Sequence, residues 1–291
     1  MLALLNFSRS LVKKTFILSM VLSLLTALVS LASGIVDTAS GSPPNNLVSK
    51  QNVLFLGSYT HSQDVTTDGE SYFFSARWSL TKTTLDGKTE TAMNINAIPR
   101  ELKEKYGSAH IGGISYYNGK IYAALEDSKV WQYPIVALYD AKTLAYTGEY
   151  HILSAELQKN GLPWIAVDAE NGYIYAAQRD NSPALIVYDL ETFEPVKTVP
   201  LSIPVHKIQG GEMYKGLLFV ATQDETQAVY VINPVTGEAA KYFDQNLPKG
   251  GEAEGLTVLE TPGGAVLHTL DLGPMFVNAY FRHYAPVEWP E

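Results

Sequence analysis

No cysteine occurs among the 291 residues, and that absence removes disulfides, thiolate metal sites and thiol nucleophiles together. Stability then has to come from packing and from how the chain closes on itself. Positive charge is also scarce: 21 Lys and Arg stand against 30 Asp and Glu, and no basic cluster follows residue 32. A body of this charge repels nucleic acid and anionic lipid, so neither is expected as a partner. Amphipathic helical windows are missing after residue 50, apart from PRELKEKYG (99–107). The chain has no G-x-S-x-G serine turn, P-loop, H-E-x-x-H pair or EF-hand loop, so no motif names a reaction.

What is present begins with the N-terminus. Residues 1–32 carry Arg9, Lys13 and Lys14 and no acid, then run uncharged from Thr15 to Ala32, with the small Ser30 and Ala32 in an A-x-A-like arrangement. This pattern is expected of a signal peptide cleaved near Ser33. An uncleaved membrane anchor is the alternative, because the uncharged run is just long enough to span a bilayer core. Cleavage would remove three positive charges and no negative one, taking the formal charge from -9 to -12. Residues 33–50, with SGSPPNN, read as a linker or as a strand that joins the fold late. Residues 51–291 read as one domain, expected in the periplasm or outside the cell, or facing outward from an anchor.

Within that body one unit recurs. SYYNGKIYAALED (115–127), VDAENGYIYAAQRD (167–180), GEMYKGLLFVATQD (211–224) and LETPGGAVLHTLD (259–271) each join two apolar strands through a turn at Gly119, Gly172, Gly216 or Gly264. Asn-Gly at two of these turns supplies the positive φ angles that a two-residue hairpin needs. A third strand follows in ALYDAKT, IVYDLET and YVINPVTG, where Asp140, Asp189 and Asn233 are placed to accept backbone amides of an Asx turn. A fourth strand comes next. The turn glycines lie 53, 44 and 48 residues apart, the spacing of a four-stranded propeller blade.

The sequence therefore predicts an all-β propeller of five four-stranded blades. Three are complete, and two are partial at the chain ends, NVLFLGS to TAMNI and EAEGLTVLE to FRHYAP. One blade shared between the termini would close the ring and remove exposed edges. Six blades is the alternative if the end pieces belong to separate blades. The repeat resembles secreted propellers of the YVTN and quinoprotein-like kind over most of residues 50–286. That resemblance implies the fold and leaves function to the site.

In a propeller the inner strand lines the axis and its start lies beside the end of the second strand, so both open on one face. His110, Trp164, Gln209, Glu252 and Glu254 are expected around that mouth, with one of the two glutamates facing the axis. Glu126, Arg179, Gln223 and Asp271 end the second strands there and differ in every blade, which suits a ligand. Asp127, Asp180 and Asp224 recur in three blades, which suits loop geometry. The segments THSQDVTTDGES and EDSKVWQYP read as loops forming a funnel, with His61, Trp131 and Tyr133 on its wall. If Glu126, Glu252, Glu254 and Asp271 converge, they would share a proton or hold calcium, and His110 with Glu254 could serve as base and acid.

Three function classes follow. The first is a binding propeller taking a small molecule, glycan or peptide in the funnel. The second is a calcium-assisted hydrolase, lyase or isomerase. The third is a protein-interaction scaffold using the outer rim.

Overall fold

The computed structural model describes residues 47–53, 57–127, 131–180 and 182–284. The expected export segment and most of the expected linker lie outside the described residues. Among those described, no helix is long and apolar enough to cross a membrane.

The chain forms five four-stranded antiparallel sheets. The first blade is β2 (Asp64–Thr67), β3 (Ser71–Ala76), β4 (Ser79–Thr84) and β5 (Glu90–Asn94). The second is β6 (His110–Tyr117), β7 (Lys120–Glu126), β8 (Ile135–Asp140) and β9 (Tyr146–Ile152). The third is β10 (Ala166–Asp168), β11 (Tyr173–Ala176), β12 (Ala184–Asp189) and β13 (Pro195–Pro200). The fourth is β14 (Ile208–Tyr214), β15 (Leu217–Thr222), β16 (Ala228–Ile232) and β17 (Ala239–Asp244). The fifth takes β18 (Glu252–Thr261), β19 (Gly264–Leu272) and β20 (Ala279–Tyr284) from the C-terminal end, and β1 (Leu47–Val53) pairs antiparallel with β20 as its outermost strand. Inner strands β2, β6, β10, β14 and β18 neighbour one another around the axis.

The expected closure between the termini is thus present, and the blade count is five. The closing strand begins at Leu47, so the segment read as a linker or as a late-joining strand ends in that strand. One detail differs from the sequence reading: NVLFLGS does not open the first blade. That blade instead opens with β2, inside the stretch read as a funnel loop. The reason is chemical: β2 has four residues, and only Val65 is strongly apolar. Its polar Asp64 and Thr66 are nevertheless fully buried, because the axis supplies their hydrogen-bond partners.

Packing follows the ring. Five clusters of buried side chains fill the five seams between neighbouring blades. Phe73, Ile111 and Leu125 lie in the first seam, Trp164 and Val220 in the third, and Phe74, Leu270 and Phe281 in the last, where the fifth blade meets the first. At that last seam Tyr72 Oη lies 2.9 Å from His268 Nε2, and His268 Nδ1 lies 2.7 Å from His283 Nδ1. The one longer helix, α2 (Arg100–Tyr106; α1 is the single turn Gly57–Thr60), buries Leu102 in the first seam and ends on Gly107 at φ 72°.

The Asx turns form as the repeat implies. Asp140, Asp189 and Asn233 each accept the amides two and three residues on, at 2.8–3.1 Å. Asp86 does the same in the first blade, accepting Lys88 N and Thr89 N at 2.8 Å, and these bonds hold its carboxyl well below the usual range.

Because β20 is flanked by β19 and β1, cutting the chain before Phe276 removes a central strand and leaves β1 without a partner. That truncation should abolish cooperative unfolding near the parent's melting temperature. Deleting residues 33–44 removes no described strand and should shift the melt by only a few degrees. Circular dichroism melts of both proteins test this, and equal tolerance would contradict the closure.

Candidate functional site

The axis is organised by one carboxylate. Asp64 opens β2 where the inner strands converge, and it accepts the amides of Val65 and Ile114, each at 2.8 Å, and of Leu256. Its neighbours leave room only because they lack side chains. A carbon built at the Cβ position of Gly255 would lie 1.6 Å from Asp64 Oδ1, and one on Gly210 would lie 2.5 Å from the same atom. Burial raises the Asp64 carboxyl well above the usual range, its amide bonds oppose the rise, and the negative charge of Glu212 adds to it.

Glu212, on β14, lies deeper along the axis. Its Oε2 accepts the hydroxyls of Thr66 at 3.1 Å and Thr257 at 3.2 Å, and burial raises it to about 7. Glu254 is the axial one of the two β18 glutamates. It is 4% exposed and raised well above its usual value by burial, with Glu252, Asp64 and Asp271 adding repulsion. Glu252 is half-buried and raised by burial, with Lys207 opposing. A bulge between Ala253 and Leu256 breaks the regular alternation there.

At the mouth, charged and aromatic side chains from the first three blades meet. His110 opens β6, and its Nδ1 lies 3.1 Å from Oε2 of Glu126, the last residue of β7. Arg179 reaches the same Oε2 through Nη2, donates Nε to the carbonyl of Asn160 at 3.1 Å, and lies over the Trp131 ring at 4.5 Å. Gln63, just ahead of β2, places Oε1 2.5 Å from His110 Nε2. Gln63 Nε2 donates to the Ser62 carbonyl at 2.6 Å, so its oxygen faces the imidazole. Glu126 Oε1 is buried without a hydrogen-bond partner among the described residues and faces Gly161, where a Cβ would come within 2.3 Å of it.

The sequence-predicted site residues therefore divide. His110, Glu126, Arg179 and Trp131 come together. Gln209 and Gln223 pair with each other at 3.2 Å on the fourth blade. Trp164 does not ring the mouth: it is fully buried between the third and fourth blades, because Gly211 and Gly113 leave space for it. His61 is buried with its ring 4.2 Å from that of Phe74, and burial lowers it to about 4, so it is a neutral core residue and not part of a funnel wall. Asp271 is buried in a bidentate pair with Arg282, at 2.5 and 3.0 Å.

Of the four carboxylates expected to gather around a cation, Glu126 and Asp271 thus hold arginines of the chain itself. No group of three His, Asp or Glu that could hold a metal ion occurs among the described residues. The loop reading fits Asp127, which accepts Trp131 N and Gln132 N at 2.7 and 2.8 Å, and Asp224, which accepts Thr226 N, Ala228 N and the Tyr230 hydroxyl. Asp180 is exposed.

Asp64, Glu212 and Gln63 were not singled out from sequence. The signal that could have found Asp64 is the run of glycines at 112–113, 210–211 and 255, which leaves a space at the axis for a side chain from the remaining inner strand.

The Glu212 carboxyl gives a pH dependence with a defined sign. Its folded value stands above the ordinary 4.5, so the folded state holds the extra proton between about pH 4.5 and 7, and stability falls as pH rises through that window. Glu212→Gln should remove that contribution, about 2–3 kcal/mol between the two limits. Urea unfolding of parent and variant at pH 5 and pH 8 measures it, and equal pH dependence in the two would contradict a buried, proton-holding Glu212.

No family model matches the chain, and no curated protein does. Among solved structures it is similar to the Kuenenia stuttgartiensis hydrazine synthase, with 14% identity and a TM-score of 0.41, covering 79% of this chain and 60% of that one. It is also similar to a chain in a crystal structure of the mitotic checkpoint complex, with 9% identity and a TM-score of 0.43, covering 86% and 94%. The chain spans 60% of the hydrazine synthase chain. At these values neither likeness bears on function, and the propeller rests on the chain's own strand pairing.

Proposed function

We propose that this chain is an extracytoplasmic binding propeller that captures a small molecule, glycan or peptide at the mouth where the inner strands begin. One observation carries the reading: the cluster of His110, Glu126, Arg179 and Trp131, with Gln63, is assembled from three blades and repeated in none. A residue that serves loop geometry is needed by every blade, whereas one that serves a ligand is needed once. The cluster offers an imidazole, a guanidinium stacked on an indole and the side-chain amide of Gln63, a mixture of aromatic surface and convergent polar groups suited to a polar ligand. The extracytoplasmic address rests on the sequence of residues 1–32, and N-terminal sequencing of the protein from its native host should begin near Ser33. Recovery of intact Met1 from a membrane fraction would point to an anchor.

The calcium-assisted enzyme is the second reading. It rests on Glu252 and Glu254, the two expected ligands not paired with an arginine, and on the carboxylate–histidine pair of Glu126 and His110. A ligand using His110 Nε2 as acid or base would have to displace Gln63.

A thermal-shift screen of sugars, amino acids and short peptides, followed by titration of the best ligand, tests the first reading. His110→Ala should stay within about 1 kcal/mol of the parent and lose at least about tenfold in affinity, a cost near 1.4 kcal/mol. Asp224→Ala should do the reverse, costing about 1–3 kcal/mol of stability with affinity unchanged. If the Asp224 variant alone loses binding, the site is elsewhere. A calcium titration of the same proteins separates the second reading: a melting temperature that rises with calcium and falls on chelation supports it, and no response to calcium removes it.

A further inference from the structure

Two histidines stand directly opposite each other on neighbouring strands of the fifth blade, His268 on β19 and His283 on β20. Cross-strand partners share one face of a sheet. Here that face packs against the first blade: Leu270 and Phe281, two residues along the same strands, lie in the last seam with Tyr72 and Phe74 of β3. The pair also sits where the ring closes. His283 is in register with Ser49 of β1, and among the described residues β1 pairs with β20 alone.

The hydrogen bonds of the cluster suit two neutral rings. His268 and Tyr72 are buried, with His268 Nε2 2.9 Å from the Tyr72 hydroxyl and the two Nδ1 atoms 2.7 Å apart. His283 Nε2 is buried without a hydrogen-bond partner among the described residues. Two neutral imidazoles carry two N–H groups on four ring nitrogens, and the contact between the Nδ1 atoms takes one of them, whichever ring donates it. A third proton fills both Nε2 atoms, and the one on His283 then has no acceptor. A fourth sets N–H against N–H across the Nδ1 contact and places like charges on directly opposed residues.

The described surroundings do not favour a charge either. Phe281 and Tyr72 each place a ring centroid 5.2 Å from that of His268, and burial raises the Tyr72 phenol, which stays protonated. On β18 the residue opposite His268 is Thr257, whose hydroxyl donates to Glu212. Arg282, next to His283 on β20, pairs with Asp271. Lys88, in the β4–β5 turn, acts on His283 with the same sign as a protonated imidazole. Burial lowers His268 to about 3, with His283 adding to the effect, and lowers His283, with Lys88 adding. His61, beside Phe74 in the first blade, is lowered by burial as well.

We propose that this histidine pair is an acid-sensitive latch on the ring: when it takes up protons, the fifth blade loosens from the first and β1 leaves β20. Both folded values lie below the ordinary 6.5, so below about pH 6.5 an opened ring binds more protons than a closed one. Closure is fully favoured above that pH and is lost progressively as pH falls beneath it. Glu212 responds in the opposite sense, because the folded state holds its extra proton, and His61 in the same sense. Both remain in place in the variant that tests the latch.

Hydrogen exchange of the full chain, read by mass spectrometry at pH 8 and pH 5 and corrected for the intrinsic exchange rate, tests the latch. The parent is compared with His268→Gln/His283→Asn, which keeps polar groups and removes both imidazoles. In the parent, the opening equilibrium of peptides covering β1 and β20 should rise at least about tenfold between the two pH values, the change expected when one buried histidine returns to its ordinary titration. Peptides covering β11 and β12 of the third blade should change less than about threefold. In the double variant the rise at β1 and β20 should shrink to less than about threefold. Nitrogen NMR of the parent's imidazoles supplies a second measurement, which decides the matter if the double variant does not fold: both rings should be neutral at pH 8 and gain protons only in step with the loss of β1 protection. The proposal fails if parent and variant respond to acid alike, if the parent does not respond, if all five blades open together, or if the rings become protonated while β1 stays protected.

Discussion

Five inner strands meet around the carboxylate of Asp64, and much of the architecture is arranged so that they can. Its oxygens receive amides from β2 itself, from the second blade at Ile114 and from the fifth at Leu256, so one side chain ties three blades at the axis. Placing a carboxylate in a buried position is costly unless hydrogen bonds meet it. The backbone amides supply those bonds, and glycines at 210 and 255 let the strands approach closely enough to do so. Glu212 repeats the arrangement lower down, with threonine hydroxyls from the first and fifth blades in place of amides. The axis is therefore a filled polar core, and the apolar packing lies in the seams between blades.

A filled axis moves function to the mouth. At the end where inner strands begin, the second and third blades contribute Glu126 and Arg179 at corresponding positions, and their opposite charges bring them into contact across the seam. The glycine at 161 then fits against Glu126 and Trp131. At the other end the same two blades separate enough to leave a cleft lined by Glu149, Glu170 and Glu191. Both features arise in the sector where β10 and β11, of three and four residues, are the shortest inner pair of the five blades. Short strands leave more of the chain in loops, and loops can carry residues that the repeat does not dictate.

Aspartate and asparagine show how the same residue type acquires different roles. At 86, 140, 189 and 233 it caps an Asx turn in local geometry that four blades share. At 127 it fixes the backbone of Trp131, which adopts φ 51°, and so positions a mouth residue indirectly. At 271 it neutralises Arg282 inside the closing blade. The first role is local and repeats; the other two depend on which neighbour the fold delivers.

That distinction marks what could be read from sequence. Hairpin turns at Asn118-Gly119 and Asn171-Gly172, the Asx turns and the period between blades are local, because each depends on residues a few positions apart. They determine the all-β class, the five-blade count and the sharing of one blade between the chain ends. The face on which His110, Glu126 and Arg179 gather also followed, since strand direction alternates through every blade. Side-chain partners did not follow. Asp271 meets Arg282 and Trp164 sinks between blades because of contacts across strands and seams, and the polar strand β2 resembles a loop until the axis provides its hydrogen bonds. The sequence by itself determined the repeat and its register; only the tertiary structure decided which polar residues are buried together, because burial and pairing depend on segments that are distant in the chain.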